Sequence, residues 1–282
     1  MNMTPQTTTG LPRDCFLRPS VARIDNFMTG GTDNYDVDRK LARGLVQLAP
    51  WLPHMVAINE RHRPHAVSVL ARELGISQFL DLGCGLASAY SSKLQRHDLA
   101  TPFEAAVGVH AAARVVYVTY DPVVSAHART ISDVNEATEA LQADVCRTED
   151  LLAHPKIQAI FDHTSPIGVL VHDLLPWVAD EVAAATMAVL RSWLPAGSAI
   201  SLTHASTDRD PQAMKSLVDG YAEAGIAYRP RPLEQVRSLL SPWHVLPPGL
   251  VPTAQWLAGS IRGLPSTEYS HAYAAIVTEA RP

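Results

Sequence analysis

Short apolar runs alternate with longer amphipathic stretches along most of the chain. Such runs are typical of buried parallel strands, and the stretches between them have the apolar spacing of amphipathic helices. The predicted strands are 79–82, 114–119, 141–145, 167–171 and 198–203, with two more near 244–246 and 272–278. The predicted helices are 86–97, 123–131, 180–194 and 211–224. This alternation predicts an α/β fold with a doubly wound, mostly parallel sheet. The poorly patterned stretch 99–113 is interpreted as an insertion.

An N-terminal helical cap is predicted at 1–75, ahead of a Rossmann-like domain at 76–282. Apolar residues lie at helical spacing in 21–28 and again in 37–48. A third helix is predicted at 54–74, and Gly75 suits its C-terminal end.

The turn between the first two predicted helices is richer in glycine and polar residues than a plain connection needs. Gly30 and Gly31 are followed closely by Asp33, Asn34 and Tyr35. One interpretation is a helical hairpin used only for packing. The other is a lid in which Gly31, Asn34 and Tyr35 reach a bound ligand.

A glycine turn, in the sequence Q-F-L-D-L-G-C-G at 78–85, follows the first predicted strand. Ligands bind at this edge of open α/β sheets, and glycine lets them approach the backbone closely. The dinucleotide fingerprint requires a third glycine, but Ser88 stands at that position. Asp81 suits a positively charged group, such as the amino group of S-adenosylmethionine (SAM), better than a pyrophosphate. A SAM site, a dinucleotide site and an ordinary strand-to-helix turn remain as alternatives.

Composition excludes several classes of partner. The formal net charge of −5 provides no basic footprint for nucleic acid. Cys15, Cys84 and Cys146 are odd in number and widely spaced, which argues against a disulfide framework and a zinc site. No apolar run has the length of a membrane span, and the N-terminus lacks the pattern of a signal peptide. We therefore expect a cytoplasmic protein with a small-molecule substrate, no nucleic-acid, membrane or metal partner, and the option of a homodimer.

Four blocks of sequence occur together and in order. They are P-S-V-A-R-I-D-N-F-M-T-G-G-T-D-N-Y-D-V-D-R, G-I-S-Q-F-L-D-L-G-C-G-L, A-R-V-V-Y-V-T-Y-D-P-V-V-S-A-H-A-R and L-P-A-G-S-A-I-S-L-T-H-A-S-T-D. Through them the chain resembles, from about Pro19 to Asp208, the actinobacterial SAM-dependent methyltransferase family formerly known as DUF574. The resemblance implies a Rossmann-like fold of the class I methyltransferase type, with an N-terminal helical cap and with SAM as cofactor.

The leading functional hypothesis is methyl transfer from SAM to an O-, N- or C-nucleophile of a small molecule, in specialised metabolism. One alternative is a SAM-dependent or SAM-descended enzyme that does not methylate, such as a cyclase. Another is a binding protein with a vestigial pocket.

The chain departs from the family pattern after its second and fourth strands. The family has Y-V-D-N-D-P at the second strand, and its first Asp is the expected ribose ligand. Here that position is Thr119, while the second Asp is kept as Asp121. We therefore expect Asp121 to bind the ribose, with an N-cap of the next helix as its alternative role. After the fourth strand, His172 and Asp173 appear and Pro176 replaces a His of the family, which indicates a remodelled reaction site.

The candidate catalytic residues are side chains that could take a proton from the acceptor. His172 and Asp173 directly follow the fourth predicted strand, and His204 ends the fifth. His163 and His271 are further candidates. The candidate cofactor-binding residues are Asp81, Gly83, Cys84, Gly85, Asp121, Pro122, Asp144, Val145, His172, Gly31, Asn34 and Tyr35.

Overall fold

Strands and helices alternate in the structure, a computed structural model that describes residues 13–86, 100–133, 135–258 and 266–279. The strands are β1 (Gln78–Leu82), β2 (Arg114–Thr119), β3 (Thr138–Gln142), β4 (Ile167–His172), β5 (Ala199–Ala205), β6 (His244–Val245), β7 (Val251–Pro252) and β8 (Ala272–Thr278). The helices are α1 (Val21–Met28), α2 (Asp36–Leu48), α3 (Leu52–Leu74), α4 (Pro102–Val107), α5 (Pro122–Ser132), α6 (Thr148–Leu152), α7 (Pro155–Ile160), α8 (Asp180–Trp193), α9 (Pro211–Glu223), α10 (Leu233–Leu240) and α11 (Thr253–Trp256). The predicted helix at 86–97 lies, apart from its first residue, outside the described residues.

In the described part of the chain, one sheet has the strand order β3-β2-β1-β4-β5-β8-β6, with β7 paired to β8. Strands β1 to β5 are parallel, and β8 is antiparallel to β5, β6 and β7. The chain order reverses between β1 and β4, so the carboxyl ends of these two strands form the switch point at which such sheets bind ligands. The predicted doubly wound, mostly parallel fold is confirmed.

Apolar side chains fill both faces of the sheet, because neighbouring residues of a strand point to opposite sides. Phe79 of β1 packs with Leu70 of α3 on one face. Leu80 packs with Leu190 of α8 on the other. A third cluster joins α1 and α2 to α9. Helix α3 thus packs on the sheet, although the predicted domain division assigns it to the cap. The division into a cap at 1–75 and a domain at 76–282 stays a prediction.

The stretch 99–113, interpreted as an insertion, contains helix α4, which begins with a capping box of Thr101 and Glu104. Two local predictions are corrected. The third strand lies at 138–142 and not 141–145, because Asp144 has left the sheet and its side chain accepts the Cys146 N–H at 2.9 Å. The fifth strand continues to Ala205 through pairing with β8, so His204 lies inside it and does not end it.

None of the helices in the described part of the chain combines the length and apolar character needed to cross a bilayer.

A buried ionic network fastens α1 and α2 to the sheet. Arg23 is 1% exposed; its Nε donates to Asp38 at 2.8 Å, and its Nη1 lies 3.4 Å from Asp121, just after β2. Asp38 also accepts the backbone N–H groups of Ser20 and Tyr35, each at 2.9 Å. Removing one partner of such a network leaves a buried charge without compensation, which costs more than the intact pair contributes.

We expect Asp38→Ala to lower the free energy of unfolding by about 3–5 kcal/mol, because Arg23 would then lose its closest carboxylate. Urea unfolding followed by circular dichroism measures the change. Asp36→Ala is the matched control, since the Asp36 side chain is 88% exposed at the start of the same helix. Equal stability of the two variants would contradict the role given to Asp38.

Candidate active site

A cavity of roughly 630 Å³ lies at the carboxyl edge of the parallel strands. Its floor comes from the segments that follow β1, β2, β3 and β4. These floor residues are Gly83, Cys84, Gly85, Leu86, Thr119, Tyr120, Asp121, Asp144, Val145, Cys146, His172, Asp173 and Leu174. The volume falls within the range of small-molecule sites, and the position is the one predicted for a ligand.

Two helices of the predicted cap and two later segments close the cavity from the other side. From α1 and the residues beside it come Ser20, Val21, Ala22, Asp25, Asn26 and Thr29, and from α3 come Val56, Asn59, Glu60 and Arg63. Trp177, Val178 and residues 225–227 complete the wall. The predicted cap therefore lines the cavity with residues on the faces of α1 and α3.

The two glycines of the β1 turn are needed for different reasons. Gly83 has φ +76°, and a Cβ there would lie 2.9 Å from Cδ1 of Leu174, so any side chain is strained. A Cβ at Gly85 would meet only Glu60 Oε1, at 3.7 Å. Since Glu60 lines the cavity, a larger side chain at Gly85 would occupy part of the space for a ligand. A side chain at Gly83 would instead distort the backbone of the turn.

Asp81 faces a cation of the protein. It is 1% exposed in β1, it does not line the cavity, and its carboxylate lies 3.2 Å from Nη1 of Arg63. Burial raises the pKa of Asp81, and the neighbouring Arg63 opposes that rise. The prediction that Asp81 itself meets a positive ligand group is corrected, because Arg63 is its partner and Arg63 is the residue that lines the cavity.

The Asp121 carboxylate lines the cavity but is occupied by protein donors. Its Oδ1 accepts the N–H groups of Val123 at 2.7 Å and Val124 at 3.3 Å, which confirms the N-cap role. Its Oδ2 accepts the Ser20 hydroxyl at 2.5 Å and faces Arg23. Pro122 begins α5 in the usual N1 position and does not line the cavity.

His172, the last residue of β4, lines the cavity and is 3% exposed. Its Nε2 is 2.9 Å from the Ser201 hydroxyl, and its ring centroid is 5.3 Å from that of His62. Burial, followed by the neighbouring His62 and Arg63, holds the pKa of His172 well below its ordinary value. The imidazole is therefore neutral at physiological pH.

Asp173 has an uncommon backbone that aims it away from the strand. Its φ is +50°, and its N–H is bound to the backbone oxygen of Thr203 at 3.1 Å and to the Thr203 hydroxyl at 3.0 Å. Its Oδ2 accepts Nδ2 of Asn59 at 2.6 Å, while its buried Oδ1 has no hydrogen-bond partner in the described part of the chain. Burial raises the pKa of Asp173 to about 6.

Carboxyl groups crowd this part of the cavity. Burial raises the pKa of Asp25, and the nearby Asp173 and Glu60 raise it further. Burial likewise raises the pKa of Glu60, although Arg63 opposes the effect. Among the described lining residues, Arg63 is the single Lys or Arg, and it already pairs with Asp81. The cavity therefore has more carboxyl groups than cations in its lining, and a positively charged ligand would favour their ionised form.

The predicted lid residues serve the internal structure of the cap. A Cβ on Gly31 would lie 2.3 Å from Nδ2 of Asn26. The Asn34 side chain donates to Oδ1 of Asn26 and to the backbone oxygen of Gly31, each at 2.9 Å. Tyr35 packs edge-on against Phe16. None of Gly31, Asn34 and Tyr35 lines the cavity, so the packing interpretation of this turn is the one observed.

The other histidine candidates are structural. His204 is fully buried outside the cavity, and its Nε2 lies 2.8 Å from Nη1 of Arg231. Burial lowers the pKa of His204 to about 3. His271 stacks on Trp51, and His163 meets Trp193 edge-on. His204 is therefore corrected from a catalytic candidate to a packing residue, because its ring is committed to Arg231.

Asp25, Asn59, Glu60 and Arg63 line the cavity and are not among the site residues predicted from the sequence. Asp25 lies in a quoted motif that was interpreted by its apolar spacing alone. Asn59, Glu60 and Arg63 fall on one turn of α3, where polar residues interrupt a helix that buries Ile58 and Val67 on both sides of them. Polar residues within an otherwise buried helix face are the feature of the sequence that could have identified these three as site residues.

Comparison with known proteins identifies the family and the fold. The sequence profile of a family described as S-adenosyl methyltransferase matches residues 15–280. A DUF574 family protein from Streptomyces avermitilis is 26% identical, with a TM-score of 0.82, over 95% of this chain and 100% of that one. A Thermobifida fusca protein classed provisionally as a methyltransferase is 28% identical, with a TM-score of 0.84, over 97% of this chain and 100% of that one. None of the curated proteins matches this chain.

The profile spans nearly the whole chain, and both structures share its fold. The expected class I methyltransferase architecture, the SAM cofactor and the resemblance to the former DUF574 family are confirmed. The chain belongs to the S-adenosyl methyltransferase family and is a SAM-dependent methyltransferase.

Proposed function

We propose that this enzyme binds SAM in the cavity above the Gly83–Gly85 turn and methylates a small molecule of specialised metabolism in the cytoplasm. The observation that carries the proposal is the cavity itself, which joins the glycine turn to a set of unmatched carboxyl groups at the switch point of the sheet. Its walls close over a volume that suits small ligands. Its acidic lining would repel the phosphates of a nucleic acid.

The residues present fit SAM by charge. SAM has a positive sulfonium and a positive ammonium beside one carboxylate, and when bound it supplies an electrophilic methyl group. Glu60 offers a carboxyl group to the positive centres, and Arg63 offers a guanidinium to the carboxylate. The backbone of the Gly83–Gly85 turn holds the amino-acid end, and Asp144 and Val145, beyond β3, hold the nucleoside end.

We assign the ribose contact to Asp121. This contact requires that the ribose displace one of the protein donors that Asp121 already binds. Both of its oxygens already have protein donors, so a ribose hydroxyl must replace the hydroxyl of Ser20 on Oδ2. The contacts with Val123 and Arg23 can persist during this exchange. SAM binding would then loosen one link between α1 and the sheet while keeping the ionic one.

Asp173 is the proposed proton acceptor. A general base works best when its pKa lies near the working pH, and burial brings the pKa of Asp173 to about 6. The pKa of His172 is held well below its ordinary value by burial, which makes its imidazole a weak base. His172 is then a contact residue of the cavity wall, and Asp173 Oδ1 takes the proton that the acceptor loses.

We expect Gly85→Val to weaken the binding of S-adenosylhomocysteine, the methylation by-product, by at least about tenfold and to leave the fold stable, because the new side chain enters ligand space. Gly83→Val should instead lower the free energy of unfolding by about 1–3 kcal/mol, through the strain of its backbone. Titration calorimetry and urea unfolding separate the two effects.

Gly44→Ala is the control for the glycine variants. A Cβ at Gly44, on an exposed part of α2, would meet nothing within 4 Å. Binding of S-adenosylhomocysteine should therefore stay at the wild-type level. Undiminished binding by the Gly85→Val protein, or no binding by the wild type even at about millimolar ligand, would overturn the proposed site.

We expect Asp173→Asn to stabilise the ligand-free protein above the folded-state pKa of Asp173. The pKa of Asp173 is about 6 in the folded state and about 4 in the unfolded state. Ionisation of this carboxyl group therefore lowers the free energy of unfolding. The free energy of unfolding of the variant should exceed that of the wild type by about 1–3 kcal/mol near pH 8. The difference should vanish at about pH 3, below both pKa values, where the carboxyl group is protonated in both states. Asparagine tolerates the positive φ.

Chemical unfolding at the two pH values measures this difference, and Asp36→Asn, on the exposed carboxylate, is the control. A stability gain for Asp173→Asn that is the same at both pH values would show that the carboxyl of Asp173 titrates normally. The assignment of Asp173 as the base would then lose its physical ground.

A further inference from the structure

We propose that the methyl acceptor of this enzyme is a protonated amine with an apolar body, held between Asp25, Asn59, Asp173 and Trp177. We call this region the amine pocket. The inference rests on the proposed function, since it names the substrate class for the same cavity. Four features carry it: the position of the region, the charge balance, two hydrogen-bond acceptors and an aromatic wall.

The amine pocket lies at the β4 side of the cavity, away from the segments that follow β2 and β3. Asp173 and Trp177 lie in the connection from β4 to α8, and Asp173 is joined to Asn59 of α3 by a 2.6 Å hydrogen bond. Asp25 reaches the same region from α1, close enough for Asp173 to raise its pKa. The nucleoside end of the cofactor is assigned to the opposite side, so this side is free for an acceptor.

The charge balance of the cavity leaves room for a further cation beside the cofactor. With Arg63 paired to Asp81, the carboxyl groups of Asp25, Glu60 and Asp173 remain unmatched. SAM adds two positive groups and one negative group, a net charge of one. A hydroxyl acceptor would add none. An ammonium group would offset a second carboxylate and so relieve the repulsion between buried like charges.

Two acceptor atoms in this region have no donor in the described part of the chain. Asn59 is 5% exposed, and its Nδ2 donates to Asp173, which fixes its amide orientation and leaves the buried Oδ1 without a partner. Oδ1 of Asp173 is the second such atom. A buried acceptor without a donor is costly. An ammonium has several N–H groups and no acceptor, so it can satisfy both atoms, whereas a hydroxyl has only one proton to give.

The aromatic wall matches the same ligand. Trp177 lines the cavity and is held by Tyr228, stacked at 4.5 Å, and by Tyr221, edge-on at 5.1 Å. The face of an indole attracts a cation and packs against an apolar body. Val178 and Ile226 extend the apolar surface. The pocket therefore combines a site for a positive nitrogen with one for an apolar group.

Methylation of such an acceptor balances without any further reactant. The ammonium gives one proton to Oδ1 of Asp173, and the freed lone pair forms the new N–C bond with the methyl group. The C–S bond breaks with its electron pair staying on sulfur, which yields S-adenosylhomocysteine. The N-methylammonium product leaves, and Asp173 returns its proton to water.

The test compares amines with neutral molecules of the same shape. The full-length protein is first titrated with S-adenosylhomocysteine and then, when saturated, with 2-phenylethylamine and 2-phenylethanol, and with benzylamine and benzyl alcohol. We expect each amine to bind at least about tenfold more tightly than its alcohol, because charge-assisted hydrogen bonds are the stronger kind. Asp25→Asn should remove most of this preference, and Asp36→Asn should keep it.

Each result decides the matter. Equal affinity of amine and alcohol, no binding of either by the saturated protein, or an unchanged preference in the Asp25→Asn protein would overturn the inference while the proposed function stands. If the wild type fails to bind S-adenosylhomocysteine, the proposed function falls and takes the inference with it. The wild-type comparison needs no variant, so poor folding of Asp25→Asn would not protect the proposal.

Discussion

The cavity depends on one buried guanidinium. Arg23 joins Asp38 of the cap to Asp121 beyond β2, and this places α1 across the carboxyl edge of the sheet. Because Asp25 lies on α1, its position in the cavity wall depends on the contacts of Arg23 that fix this helix. The same contact explains why Asp121 is not a free ligand group: its carboxylate holds the cap and begins α5 before any ribose arrives.

Several features of the cavity lower the stability of the ligand-free protein and suit ligand binding. Asp173 has a left-handed backbone, and its N–H is held by Thr203 of the neighbouring strand. Its carboxyl group is buried beside Asp25 and Glu60, where each ionised group disfavours the next. Such strain and crowding are retained where a ligand relieves them. We propose that the three carboxyl groups and Oδ1 of Asn59, which has no donor in the described part of the chain, form one arrangement that suits positive charge.

The sequence predicted what depends on local pattern. Apolar runs located four of the five parallel strands closely and the third with a shifted position, and the turn at Gly83 and Gly85 located the ligand-binding edge. The position of Asp173 directly after β4 marked it as a candidate. Prediction failed where an end or a role depended on a distant partner: His204 was placed at a strand end because pairing with β8 could not be seen, and Tyr35 was given a ligand although Phe16 packs against it.

By itself, then, the sequence determined the class of fold and the edge of the sheet that binds the ligand, because these follow from periodicity and from glycine at a turn. The family followed from the resemblance of four sequence blocks. Only the tertiary structure decided which polar groups meet there. Asn59 lies far from Asp173 along the chain, and so does Arg23 from Asp121, yet each pair shares a hydrogen bond. The charge of a buried group is set by its neighbours in space, and a sequence without its fold does not specify those neighbours.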